Sequence, residues 1–182
     1  MPDTLLSGKR VLITHADLFM GPVLCEVFAK HGATVIASND PLIGEDTPAA
    51  LVAESGPLDA LVANLAIAAP TTLTTEVTEQ EWHETFGALV HPLARLFRAV
   101  LPGMIEKRAG KIVVMGSASA LRGIKRTSTY SAARGAQLAY VQASASKSRP
   151  TTSRSMPSPR ISWTIPPISR PMFRPIPASR SA

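Results

Sequence analysis

A doubly wound parallel α/β sheet is the fold class that this sequence predicts, and three observations carry it. Short apolar runs rich in β-branched residues, RVLITH, ATVIASND, LDALVAN and KIVVMGS, alternate with helical patterns between residues 1 and 143. That alternation is the mark of successive βαβ units. Neither repeats nor heptads break it, and 182 residues suit one hydrophobic core.

The elements follow in order. RVLITH is the first strand, and GPVLCEVFAKHG is a helix with Pro22 in its first turn and Gly32 beyond its end. ATVIASND is the second strand, TPAALVAESG the second helix and LDALVAN the third strand. After a polar loop, a long helical stretch runs from about Thr78 to Ile105, interrupted by Pro92 and expected to stop near Pro102 and Gly103. Its segment WHETFGALV is placed to pack against a neighbouring subunit. KIVVMGS is the next strand, and a further helix begins near Ser128.

Residues 144–182 differ in kind. They hold eight prolines, ten serines, seven basic residues and neither glycine nor acid. Proline removes ladder donors and interrupts helices, so this part reads as a disordered Pro/Ser/Arg-rich tail behind a partial domain at 1–143. The tail also explains the net charge of +6, since residues 1–143 carry 12 Lys and Arg against all 13 Asp and Glu. A basic tail alone would suit a nucleic-acid or membrane arm, but the frame argument below accounts for its composition better. The partners expected are a small-molecule substrate, no nucleic acid and no membrane.

No run of 18 apolar residues and no secretory leader pattern occurs, so a cytoplasmic address is the default expectation. The single cysteine, Cys25, excludes an internal disulfide framework and reads as a small buried hydrophobe. His83 and His91 have no partner at metal-ligand spacing and read as surface or interface histidines, so no metal is expected.

GKRVLITHADLFMG, GATVIASND, LDALVANLA, KIVVMGS and TYSAAR occur in an order that resembles the short-chain dehydrogenase/reductase superfamily over about residues 8–143. The resemblance implies a Rossmann-like sheet, truncated after the Tyr130 helix, and a homo-oligomer in full-length members. Three departures from the hydride-transferring pattern stand out. The phosphate-loop glycines of Thr-Gly-x-x-x-Gly-x-Gly become Thr14, His15, Phe19 and Gly21, with only the last glycine kept. The third-strand motif Asn-Asn-Ala-Gly becomes Ala63-Asn64-Leu65-Ala66, and the helix position that usually holds a catalytic Asn falls on Leu89. Asn39 stands where an acid would hold the adenosine ribose, with Asp40 one residue late.

These departures resemble the halohydrin dehalogenase branch. Its motif Thr-x4-Phe/Tyr-x-Gly is matched by Thr14, Phe19 and Gly21, and Ser-x12-Tyr-x3-Arg by Ser117, Tyr130 and Arg134. The resemblance implies that Ser117 and Tyr130 hold the hydroxyl of a vicinal halo-alcohol, with Tyr130 as general base. A phenol ionises reluctantly at neutral pH and needs a nearby cation; Arg134, four residues on, lies on the same helix face. Halide would occupy the nicotinamide space, walled by Phe19 and backbone N–H groups at a helix start, with Thr14, His15, Gly21 and Asn64 around this halide pocket or vestigial cofactor site. No cofactor is required.

Two alternatives stay open. An NAD- or NADP-dependent oxidoreductase would use Ser117 and Tyr130 on a carbonyl, and a non-catalytic remnant or binding protein would use neither. Blander readings also stand: Phe19 as a core aromatic, Thr14 as a strand-end turn residue, Arg134 as a surface residue, His15 as a solvated loop residue, and Asp59 as a tie between strand ends. Ser119 competes with Ser117, which the spacing favours.

The family's later strands have no match here. Read one nucleotide upstream, the segment from Ser144 to Thr164 is compatible with VGVEVAPHNVQVNAIAQNFVD, in which Met156-Pro157 forces Ala and Trp163-Thr164 forces Asp. A frame change after about Ala143 is therefore expected, leaving a cleft without one wall and little activity in the chain as written.

Overall fold

Five parallel strands form the centre of the computed structural model, which describes residues 4–147 and 160–164. Strand β1 (Arg10–Thr14) lies between β2 (Thr34–Ser38) and β3 (Ala60–Ala63), and the sheet continues through β4 (Lys111–Met115) to β5 (Arg160–Thr164). The order is β2-β1-β3-β4-β5, all parallel, with Leu12 level with Ile36 on one side and Leu61 on the other. Alternate side chains serve two cores, as the two-residue strand period requires. Leu12, Leu61, Ala63, Ile112 and Val114 face the larger one, while Val11, Ile13, Val62 and Met115 face the other.

Helix α1 (Gly21–Lys30) covers the second face and ends where Gly32 takes a φ of +88°. Helices α2 (Thr47–Ser55), α3 (Glu79–Leu89), α4 (His91–Glu106) and α6 (Ser128–Lys147) pack around the first. The short α5 (Ser119–Arg122), not foreseen from the sequence, precedes α6. Thr78 caps α3, its Oγ1 accepting from Glu81 N–H at 3.1 Å. Helix α4 buries Leu93, Leu96, Phe97, Val100 and Met104, each worth about 1.5–3 kcal/mol. The stretch Glu79–Glu106 is long and apolar enough by composition to cross a membrane, yet these side chains lie in the core.

Three expectations need correction. Pro102 does not stop α4, which runs to Glu106. Arg98 and Pro102 are both exposed, so the carbonyl left without its intrahelical donor faces water, while Val100 and Met104 stay anchored inside. The sheet also does not end at the Tyr130 helix. The run between Pro159 and Pro166 contains the strand formers Ile161, Trp163 and Thr164, and it adds β5 to the edge of β4, with Ile161 against the larger core. Finally, α6 continues past residue 143 to Lys147. Residues 148–159 and 165–182, which hold the rest of the expected disordered tail, lie outside the described residues.

Candidate active site

In open parallel sheets ligands gather at the carboxyl ends of the strands, where neighbouring connections diverge. Here that point lies between β1 and β3, and the candidate residues follow β1, β3 and β4 or open α6.

The β1 loop keeps the backbone of a glycine turn without the glycines. His15 and Phe19 have φ of +43° and +49°, the left-handed region that glycine enters most easily. Gly21 has no room for a side chain, since a Cβ would press on the carbonyls of His15 and Ala16. Asn64 ties the β1 loop to the end of β3, its Nδ2 donating to His15 O at 2.9 Å and Leu18 O at 3.0 Å. The His15 ring lies in the same seam. Its Nδ1 accepts from Ala66 N–H at 3.1 Å, which assigns the proton to Nε2, a buried atom without a partner.

Several bland readings are thereby decided. His15 is buried, not solvated; Thr14 is buried with an unpartnered hydroxyl; Phe19 is 68% exposed and is no core aromatic. Such exposure also means that Phe19 does not wall an enclosed pocket among the described residues. Asp59 ties strand ends, accepting from Arg10 N–H at 2.9 Å. Cys25 is only partly buried, against the second core. His83, next to Glu79 at 3.6 Å, is a surface residue.

A nicotinamide dinucleotide, the group implied by the wider superfamily, would meet fewer backbone donors here than a glycine loop offers. At the start of α1 the Gly21 N–H is taken by Leu18 O at 2.8 Å and Pro22 has none, so two donors that would face a pyrophosphate are missing. The same loss removes part of the helix-start cradle expected for a halide. The Asp40 carboxylate is engaged by Leu42 N–H at 2.8 Å, and Leu42 is fully buried.

The second half of the site is built around Arg134. It is 5% exposed, which rules out a surface role. Its Nη1 donates to Met115 O at 3.1 Å and to Gln137 Oε1 at 2.9 Å, and its Cζ lies 5.0 Å from the centroid of the Tyr130 ring. The bond to Met115 holds the first turns of α6 against the end of β4, from which the Ser117 loop departs. No carboxylate among the described residues pairs with this guanidinium. Ser117 and Ser119 are bonded to each other. Buried Ser119 donates to Ser117 Oγ from its hydroxyl at 2.9 Å and its N–H at 3.3 Å, which leaves the Ser117 hydroxyl proton free to donate outward.

Gln137, fully buried, escaped the sequence reading. The signal was present, because Gln137 stands three residues after Arg134 on the helix stripe that also holds Tyr130, Ala133 and Val141. Leu89 is buried in the core and offers only its carbonyl, which accepts from Gln137 Nε2 at 2.6 Å.

Comparison with known proteins agrees with this arrangement at the level of family. The sequence is 28% identical over 165 residues to a 3-oxoacyl-acyl-carrier-protein reductase, FabG, of Vibrio harveyi, covering 77% of this chain and 67% of the relative. It is 32% identical to a 2-keto-3-deoxy-L-fuconate dehydrogenase of Xanthomonas campestris, covering 78% of this chain and 54% of that enzyme. Among solved structures, a dehalogenation enzyme superposes with a TM-score of 0.73 at 27% identity, over 79% of this chain and 68% of that one. An L-sorbose reductase from Gluconobacter frateurii, complexed with NADPH and L-sorbose, shares the fold with a TM-score of 0.74 at 22% identity, over 80% and 66%. The family model described as short chain dehydrogenase matches residues 44–154, a span that contains Asn64, Ser117, Tyr130 and Arg134. The chain belongs to the short-chain dehydrogenase family.

Proposed function

We propose that the chain carries the acid–base site of a halohydrin dehalogenase-like enzyme, which converts a small vicinal halo-alcohol to an epoxide and a halide without a nucleotide. The observation that carries this reading is the environment of Arg134: buried, bonded to two neutral acceptors, placed over the Tyr130 ring and facing no carboxylate among the described residues. Taking a guanidinium out of water costs several kcal/mol unless a negative charge answers it. A substrate alkoxide formed beside Tyr130 would supply that answering charge. Arginine keeps its proton, so it supplies charge and leaves proton transfer to the tyrosine.

The steps use this chain's own groups. The free Ser117 hydroxyl donates to the substrate oxygen, and Tyr130, as general base, removes that oxygen's proton. The oxygen lone pair then forms a bond to the neighbouring carbon from the side opposite the halogen. The carbon–halogen bond breaks as the ring closes, and halide leaves with its electron pair. The similarity to a solved dehalogenation enzyme supports this reading, as does the loss of backbone donors at the start of α1.

A second reading is favoured by the FabG and fuconate dehydrogenase relatives. In it the chain descends from an NAD(P)-dependent oxidoreductase, with Tyr130 protonating a carbonyl oxygen. Because the chain spans only 54–67% of these relatives, turnover by the chain itself belongs to the proposal, as does the frame change. Assembly belongs to it too, through the exposed Trp82, stacked on Phe86 at 4.7 Å.

The test measures halide release from a vicinal halo-alcohol with no nucleotide present, using the chain and a version whose tail is read one nucleotide upstream. Release by the frame-restored protein, slow or absent in the chain as written and abolished by Tyr130→Phe, is the expected result. Saturable NAD(H) or NADP(H) binding with carbonyl turnover and no halide would overturn it in favour of the oxidoreductase. Neither activity would leave a remnant.

A further inference from the structure

We propose that Gln137 is a positioning residue, which fixes the plane of the Arg134 guanidinium against the Tyr130 ring by tying it to the end of α3. The proposal rests on the reading of Tyr130 and Arg134 as an acid–base pair. It shares the Arg134 contacts with that reading and adds the Gln137 bond to the Leu89 carbonyl.

Each Nη of arginine has two N–H groups, and both on Nη1 are engaged, one by Met115 O and one by Gln137 Oε1. A guanidinium held at two points of one nitrogen cannot swing about its terminal torsion without breaking a bond. The amide of Gln137 also has one workable orientation. Turned over, it would set a donor against the arginine donor and an acceptor against the Leu89 carbonyl.

Leu89 is the last residue of α3, and the closing carbonyls of a helix lack intrahelical partners. Its carbonyl is therefore an anchor whose position is set by the helix and not by the site. Three elements thus meet at one cation: the end of β4 through Met115, α6 through Gln137, and α3 through Leu89. If Gln137 served only to satisfy the Leu89 carbonyl, its oxygen would not need to face Arg134. The remaining buried atom, Arg134 Nε, has no partner, so Nη1 carries the hold on the guanidinium.

The test compares Gln137→Met, which keeps length but removes both bonds, with Gln137→Glu, which keeps the acceptor toward Arg134 and adds a charge. In nitrogen-edited NMR of the whole chain, the Arg134 guanidinium protons should be resolved and slowly rotating in the parent. They should merge in Q137M and stay resolved in Q137E, where a carboxylate–guanidinium pair replaces the lost tie to Leu89. On whichever substrate the parent or its frame-restored form turns over, Q137M should lose about 10- to 100-fold in kcat with KM little changed. Q137E should also lose kcat, because its carboxylate answers the cation, so position and charge are separated.

Resolved Arg134 protons in folded Q137M would overturn the proposal, and so would a Q137M that loses thermal stability while keeping kcat. If Q137M does not fold, loss of the resolved signal in Q137E overturns it. Failure of the dehalogenase reading is recognised independently, as nucleotide-dependent turnover in the parent, and leaves the NMR comparison intact.

Discussion

Replacing Gly21 with alanine puts one methyl group where the chain has no space for it. The new Cβ would stand 2.5 Å from the Ala16 carbonyl group and press harder still on the His15 carbonyl oxygen. To reach ordinary contact, near 3.4 Å, the β1 loop must retreat by about 0.9 Å, an overpacking that typically costs about 1–3 kcal/mol. The same retreat lengthens the two Asn64 bonds, now 2.9 and 3.0 Å, beyond useful range, at about 1 kcal/mol each. We expect a total loss of about 3–5 kcal/mol, large against the 5–15 kcal/mol typical of a whole domain. Urea unfolding followed by circular dichroism reads it as a lower midpoint at unchanged slope. Gly87→Ala is the control: nothing lies within 4 Å of its Cβ position inside α3, so the same change should stabilise by about 0.5–1 kcal/mol. A Gly21→Ala loss below about 1 kcal/mol would refute the close packing of loop on helix.

Other perturbations follow from the same contacts. Phe19→Gly removes a strained left-handed residue whose ring is largely in water; after the entropy of the new glycine is subtracted, a gain of about 0.5 kcal/mol is expected in the urea midpoint. Asn64→Leu leaves the His15 and Leu18 carbonyls without that donor and should cost about 2–4 kcal/mol, measured the same way. Burial pushes the Cys25 thiol above its ordinary value of 9.0, with its own backbone bond opposing. The folded chain should therefore react with a disulfide reagent more slowly at pH 8 than the urea-unfolded chain. Because the unfolded thiol ionises first, the linked stability is present below pH 9 and is lost as pH rises through the folded value.

Local patterns made most of the sheet readable. β1 to β4 each carry a β-branched apolar run bounded by turn residues, and a strand buried on both faces writes itself that way. β5 was hidden because proline and serine dominate the segment around it, and composition averages over a six-residue run between prolines. The Pro102 error had the opposite cause: a local breaker was trusted where tertiary anchoring by Val100 and Met104 outweighs it. At the site, spacing put Tyr130 and Arg134 on one helix face, and the structure places the guanidinium over the ring. Spacing could not reveal the direction of the serine pair, since that depends on the β4–α5 turn. Nor could it reveal that the helix-start amide of Gly21 is spent inside its own loop, which only backbone geometry decides.

The left-handed residues of the β1 loop carry a consequence for how such a fold changes occupation. A backbone path suited to glycine persists here under histidine and phenylalanine, so side chains at two positions can be exchanged without rebuilding the turn or the helix behind it. In this chain the same path carries a buried imidazole at one position and a largely exposed aromatic ring at the other.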